Sequence, residues 1–256
     1  MSVAEQLRYR LNLLGNYKDN QSFRRTFPAF QEPPTWLIYE TSGDSNLPRY
    51  REYGHTIAEY YHGIINRYQS PRPGQALRVC DWGCGTARIV RYMPDLFREQ
   101  ECELYATDYD AVTIEWCSAH IPDITFQRNN LEPPLEFADG FLDVLYCLSV
   151  FTHLSESMHF AWINELSRVL RPGGLLMLTL HGDQYRNKLL PGEREQYESG
   201  KLVVREGVAE GSRMFAAFHP PAFVRDYLLR DFEILEHKVD PLLPYIYQDQ
   251  WIARKR

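Results

Sequence analysis

The sequence predicts an α/β fold, a doubly wound and mostly parallel sheet preceded by a helical segment. Three observations predict it. Between residues 77 and 180, short apolar runs alternate with stretches of helical spacing. Such alternation implies parallel strands joined by right-handed crossovers. A glycine turn, Gly83-Cys84-Gly85, follows the first apolar run, and an acid, Asp108, closes the second, 23 positions after Gly85.

The elements follow in order. Ala4 to Leu14 carries Leu7, Leu11 and Leu14 at helical spacing. Phe27 to Pro34 reads as a proline-broken connector and Thr41 to Asn46 as a polar loop. Tyr50 to Tyr68 reads as a long helix, closed by Ser70-Pro71-Arg72-Pro73-Gly74. Strands are expected near 77–82, 103–108, 124–128, 142–148 and 174–180, and helices near 87–93, 110–119 and 156–170. Residues 183–213 break this rhythm with a polar, glycine-punctuated stretch that holds a short strand candidate at Lys201 to Arg205. A loop this long, leaving the end of the fifth strand, reads as a cap over an acceptor. Pro220 to Arg230 reads as a helix, and Phe232 to Val239 can pair with Tyr247 to Ala253 as a hairpin.

Composition bounds the function. The 256 residues fit one large domain, or one domain with a modest appendage. A net charge of −6 argues against a nucleic-acid partner held through its phosphates. The 17 tyrosines, many outside the alternating region, suit either an organic acceptor or helix packing. Five cysteines without a C-x-x-C pair fit buried free thiols in a reducing compartment, so the expected location is cytoplasmic. No apolar stretch of signal-peptide length opens the chain, no run of about 18 apolar residues predicts a membrane span, and no zinc spacing is present. The expected partner is therefore a small molecule, with no nucleic acid, no membrane and no metal.

The glycine turn carries the chemistry. Gly83 and Gly85 allow a turn too tight for side chains, and the strand–loop–helix unit is expected to offer backbone N–H groups and a helix N-terminus to a ligand. A dinucleotide loop needs a third glycine, and Arg88 stands in that position here. Asp81, two residues before Gly83, suits a cationic ligand better than a pyrophosphate. S-adenosylmethionine (SAM) carries a sulfonium and an α-ammonium. Asp108 stands where an acid accepts hydrogen bonds from ribose hydroxyls. The alternative, that Asp108 caps the next helix, is weakened because Asp110 is equally placed to cap it.

On these motifs the chain resembles the class I SAM-dependent methyltransferases. Asp81-Trp82-Gly83-Cys84-Gly85-Thr86-Ala87 is close to that family's first motif, and Ala106-Thr107-Asp108 to its second. Arg128-Asn129-Asn130-Leu131 matches the adenine-bracketing segment, with Asn130 where many relatives have Asp. Phe141 to Tyr146 matches the fourth strand, and Leu170-Arg171-Pro172-Gly173-Gly174 the turn before the fifth. The likeness spans about residues 75–180. It is similar in finer detail to bacterial enzymes of glycan and natural-product pathways.

The resemblance implies a Rossmann-like sheet of seven strands with an antiparallel last strand. It implies an N-terminal helical lid over 1–74 and a SAM-binding domain over 75–256, with the acceptor cap inserted at 183–213. SAM is then the cofactor. Its expected contacts are Tyr53, Asp81, Gly83, Cys84, Gly85, Arg88, Asp108, Tyr109, Asn129, Asn130, Leu131, Leu148 and Ser149. Arg88 can instead pair with Asp81 and stiffen the loop. A hydroxyl acceptor also needs a base. His153, in Ser149-Val150-Phe151-Thr152-His153-Leu154, and His181, after the fifth strand, are the candidates because imidazole titrates near neutrality. An N- or C-methyltransferase, and a non-catalytic SAM-binding subunit, remain alternatives.

Overall fold

The computed structural model describes residues 3–69, 72, 74–205 and 207–256. The predicted linker at 70–74 therefore lies largely outside the described residues. Four helices open the chain: α1 (Val3–Gly15), α2 (Tyr17–Thr26), α3 (Thr35–Ser42) and α4 (Leu47–Tyr68). The sheet strands are β1 (Leu77–Trp82), β2 (Cys102–Asp108), β3 (Thr125–Arg128), β4 (Leu142–Cys147) and β5 (Leu170–Leu180). Among them lie the short α5 (Met93–Leu96), then α6 (Ala111–His120) and α7 (Glu156–Val169). The cap holds α8 (Pro191–Glu198) and β6 (Val203–Arg205), which pairs with β7 (Ala216–Phe218). The short α9 (Pro221–Phe223) precedes β8 (Phe232–Lys238) and β9 (Asp249–Lys255).

The seven-stranded sheet runs β3-β2-β1-β4-β5-β9-β8. β1 to β5 are parallel, and β9 runs antiparallel to both β5 and β8. Strand order reverses between β1 and β4, so a crevice opens beyond their carboxyl ends. β4 is buried at all six positions because both faces are covered. One face packs Trp82, Leu145 and Leu178 against Trp162 of α7. The other packs Val79, Tyr146 and Met177 against Ile57, Tyr61 and Ile65 of α4 and Ile114 of α6. Helix α4 thus shares the sheet's own core.

Several expectations need correction. No helix starts at 87 or 88. Ala87 sits in the left-handed region at φ +56°, and Pro94 cannot donate to the Val90 carbonyl. Turns and a 3₁₀ segment (Val90–Tyr92) replace the helix, so no helix N-terminus faces the glycine loop. β5 begins at Leu170 rather than 174. Its register jumps from Leu142↔Leu170 to Val144↔Leu175, and Arg171 to Gly174 bulge out with Gly173 at φ +76°. Part of the predicted loop at 41–46 is the end of α3, an apolar helix with Leu37, Ile38 and Tyr39 buried. The Leu7, Leu11 and Leu14 stripe of α1 is helical but exposed, and α1 buries no residue. The cap is more ordered than its composition suggests: Leu189, Tyr197, Val203 and Phe218 form a small core of their own. No helix among the described residues is long and apolar enough to cross a membrane.

Candidate active site

The crevice holds a cleft of about 440 Å³, within the range of small-ligand sites. Ten of the expected residues line it: Gly83, Gly85, Arg88, Asp108, Tyr109, Asn129, Leu131, Leu148, Ser149 and His153. Tyr53, Asp81, Cys84, Asn130 and His181 do not. Tyr53 instead meets Tyr245 edge-on at 4.8 Å. Asp81 and Cys84 are buried just behind the wall.

The glycines are required by contact. A Cβ on Gly83 would lie 2.4 Å from Val150 Cγ2, and Gly83 has φ +75°. The loop N–H groups, however, are already engaged within the protein. Gly83 and Cys84 donate to the Thr107 carbonyl at 2.7 and 3.0 Å, and Gly85 donates to Asp108 Oδ2 at 2.9 Å. The expectation of bare N–H groups facing a ligand is corrected accordingly. Asp110 is the helix cap, accepting from Thr113 N at 2.7 Å. Asp108 is thus left in the cleft wall at the tip of β2, with a second bond from Asp110 N at 2.9 Å. Asn129 has a buried Oδ1 without a protein partner among the described residues.

A family described as "Methyltransferase domain" matches residues 79–174. A probable S-adenosylmethionine-dependent methyltransferase of Mycolicibacterium smegmatis is 31% identical over 101 residues, 40% of this chain and 37% of that protein. The Homo sapiens tRNA N(3)-cytidine methyltransferase METTL2B is 24% identical over 156 residues, 57% of this chain and 39% of that protein. The chain therefore spans less than two fifths of the length of these two curated relatives. The crystal structure of a SAM-dependent methyltransferase from Methanosarcina mazei shares the fold, with TM-score 0.55 and 21% identity, over 75% of this chain and 96% of that one. Over residues 79–174 the chain thus matches a methyltransferase domain, on a fold it shares with a SAM-dependent methyltransferase.

In two parts of this cleft the sequence singled out no individual residue. The first is the cap turn Gly211-Ser212-Arg213, which joins Glu5 and Glu40 of the N-terminal helices in the cleft wall. The Tyr109 hydroxyl donates to the Gly211 carbonyl at 3.0 Å, and Gly211 N donates to the His153 carbonyl at 2.9 Å. The end of the cap thus belongs to the cleft wall. The second is the segment before and within β7. His153 Nδ1 lies 2.8 Å from the Phe215 carbonyl, and His181 Nδ1 lies 3.1 Å from the Ala217 carbonyl. A carbonyl only accepts, so each Nδ1 carries the proton and each neutral ring keeps its lone pair at Nε2. His181 also stacks on Tyr185, with centroids 4.1 Å apart.

Burial sets the electrostatics. It pushes Asp81 up to about 8, against the Tyr146 hydroxyl and the Arg88 charge. Tyr146 lies close enough to affect Asp81 yet outside normal hydrogen-bond geometry. Burial also raises Asp108, opposed by the N–H groups of Asp110 and Gly85. It lowers His153, and lowers His181 to about 3 with help from the charge of His153. Both imidazoles are thus neutral at pH 7, by burial rather than by their ordinary titration. His159 and His219 are a buried pair with Nε2 atoms 2.7 Å apart.

Proposed function

We propose that the chain transfers a methyl group from SAM to a hydroxyl of a small-molecule acceptor, such as a sugar or natural product, with His153 taking the proton. One observation carries the reading: His153 lines the cleft with Nδ1–H engaged by Phe215, which leaves Nε2 as the free proton acceptor. SAM supplies a methyl group already activated on a sulfonium. The protein then has to align the acceptor and accept its proton.

Asp108 would hold the ribose, Asn129 and Leu131 the adenine, and Arg88 with Asp81 the amino-acid end. The orphaned Asn129 Oδ1, and an Arg88 side chain without a hydrogen bond or ion pair to described residues, fit such a ligand. Of the lid expected over 1–74, α1 and α3 with the cap over 183–213 would cover the cleft and exclude water, while α4 stays in the sheet's core. His181 is the second base candidate, and its stacking on Tyr185 suits orienting the acceptor as well. The five free cysteines suit a cytoplasmic setting.

An amine acceptor is the second reading, favoured by the lowered basicity of both histidines, because an amine needs less help from a base. A tRNA acceptor, suggested by one relative's name, is disfavoured by the net charge of −6. Labelled methyl transfer from SAM, screened over sugars, phenols, amines and tRNA, tests the reading. Transfer to amines or tRNA without any to hydroxyls would refute it.

A further inference from the structure

Two charged side chains in the cleft lining, Arg88 and Asp108, lie within electrostatic reach of a third, Asp81, which is buried behind the wall at the end of β1. Asp81 is 3% exposed and Asp108 9%. With all three ionised, the buried cluster carries one uncompensated negative charge. Two close carboxylates in a dry site do not both ionise without compensation.

The hydrogen bonds decide which one holds the proton. Asp108 accepts from two backbone N–H groups, Gly85 and Asp110, each at 2.9 Å, which stabilise its anion. Asp81 has no comparable pair. Around it stand Tyr146 of β4 and the backbone N–H of Val90, both neutral. Tyr61 of α4 lies within electrostatic reach of it, and the buried Tyr61 and Tyr146 hydroxyls have no hydrogen-bond partner among the described residues. The thiols of Cys80, Cys84, Cys117 and Cys147 lie within electrostatic reach, and burial keeps all of them protonated. Arg88 is the cation with the largest effect on Asp81. In the free protein the proton belongs on Asp81.

We propose that binding of the cofactor's cationic amino-acid and sulfonium end displaces one proton from Asp81 to solvent, so that Asp81, Arg88 and Asp108 act as a proton-linked seat. The inference rests on the SAM reading of the cleft. SAM has a sulfonium, an ammonium and a carboxylate, one net positive charge. Added to Arg88 and two ionised aspartates, it makes the cluster neutral. The proton is then no longer needed and passes to buffer. A neutral nucleoside thioether has no such effect.

Calorimetry in pairs of buffers with different ionisation heats counts the proton. The probes are SAM and 5′-methylthioadenosine, which keeps the adenosine and sulfur but lacks the amino acid and the charge. SAM should release close to one proton near pH 6.5. With Asp81 held at about 8, SAM affinity should rise about ninefold from pH 6 to pH 7, following the ionised fraction while the ammonium of SAM stays mostly protonated. 5′-Methylthioadenosine should bind without proton exchange and with a flat pH profile. Asp81→Asn should abolish the proton release with SAM while 5′-methylthioadenosine still binds, which shows that the variant is folded. SAM binding to the wild type without proton release, or release that persists in Asp81→Asn, overturns the inference. Binding of neither compound overturns the cofactor reading itself, and this inference with it.

Discussion

Gly54 sits in the middle of α4, where alanine ordinarily improves a helix by about 0.5–1 kcal/mol. The structure predicts the opposite sign. A Cβ on Gly54 would lie 2.0 Å from the Arg88 carbonyl oxygen and 3.0 Å from the Arg88 carbonyl carbon. The obstacle is backbone, in the turn that carries the Gly83–Gly85 loop, so it cannot rotate away. Overpacking of this kind costs about 1–3 kcal/mol. Subtracting the helix gain leaves a net loss of up to about 2 kcal/mol, a fall in Tm of about 4–8 °C at that upper end for a domain of this size. Gly63, on the same helix, has nothing within 4 Å of its Cβ position. Gly63→Ala should therefore raise Tm, and the pair isolates packing from propensity. Thermal unfolding followed by circular dichroism measures both. Because Arg88 lines the cleft, Gly54→Ala should also weaken SAM binding, while Gly63→Ala should not. If Gly54→Ala is as stabilising as Gly63→Ala, α4 does not approach the Arg88 backbone and the reasoning fails.

Other outcomes follow from the same geometry. Asp108→Ala should weaken SAM binding by about 1–3 kcal/mol in calorimetry, since it unpairs Gly85 N–H as well as the ribose. His153→Ala should lower turnover by about 10²–10⁴-fold at saturating SAM with little change in SAM affinity. The wild-type rate should be flat above about pH 6.5, because burial holds both His153 and His181 below the ordinary imidazole range. A rise through pH 6–8 at saturating SAM would point to a different base. Global stability should fall in acid through the buried His159. Its folded-state value is depressed to about 4 from 6.5, so the stabilisation is complete above pH 6.5 and is lost as pH falls towards 4. Denaturant titrations at pH 7 and pH 4.5 should show this fall.

What the chain order determined is what depends on neighbours in sequence. The alternation of apolar runs and helical spacing placed β1 to β4 within a residue or so, and the acid at the tip of β2 stood where Asp108 now lines the cleft. Asp110, three residues before Thr113, was a cap candidate on local spacing alone, and it is the cap. Locality also explains the errors within reach. The helix expected after the glycine loop ignored the left-handed Ala87 and the effect of Pro94 one turn back.

Tertiary structure decided the rest, because those features join residues far apart in the chain. Nothing near His153 or His181 announces that carbonyls 62 and 36 positions away fix their tautomers. Gly211 reads as one more loop glycine until it is seen between Tyr109 and Leu131. The charge state of Asp81 depends on burial by α4 and on Asp108 having the better hydrogen bonds, and burial is a property of the packed chain. Sequence names the groups that can ionise; the fold sets which of them do, because only packing removes water and brings distant donors to a carboxylate.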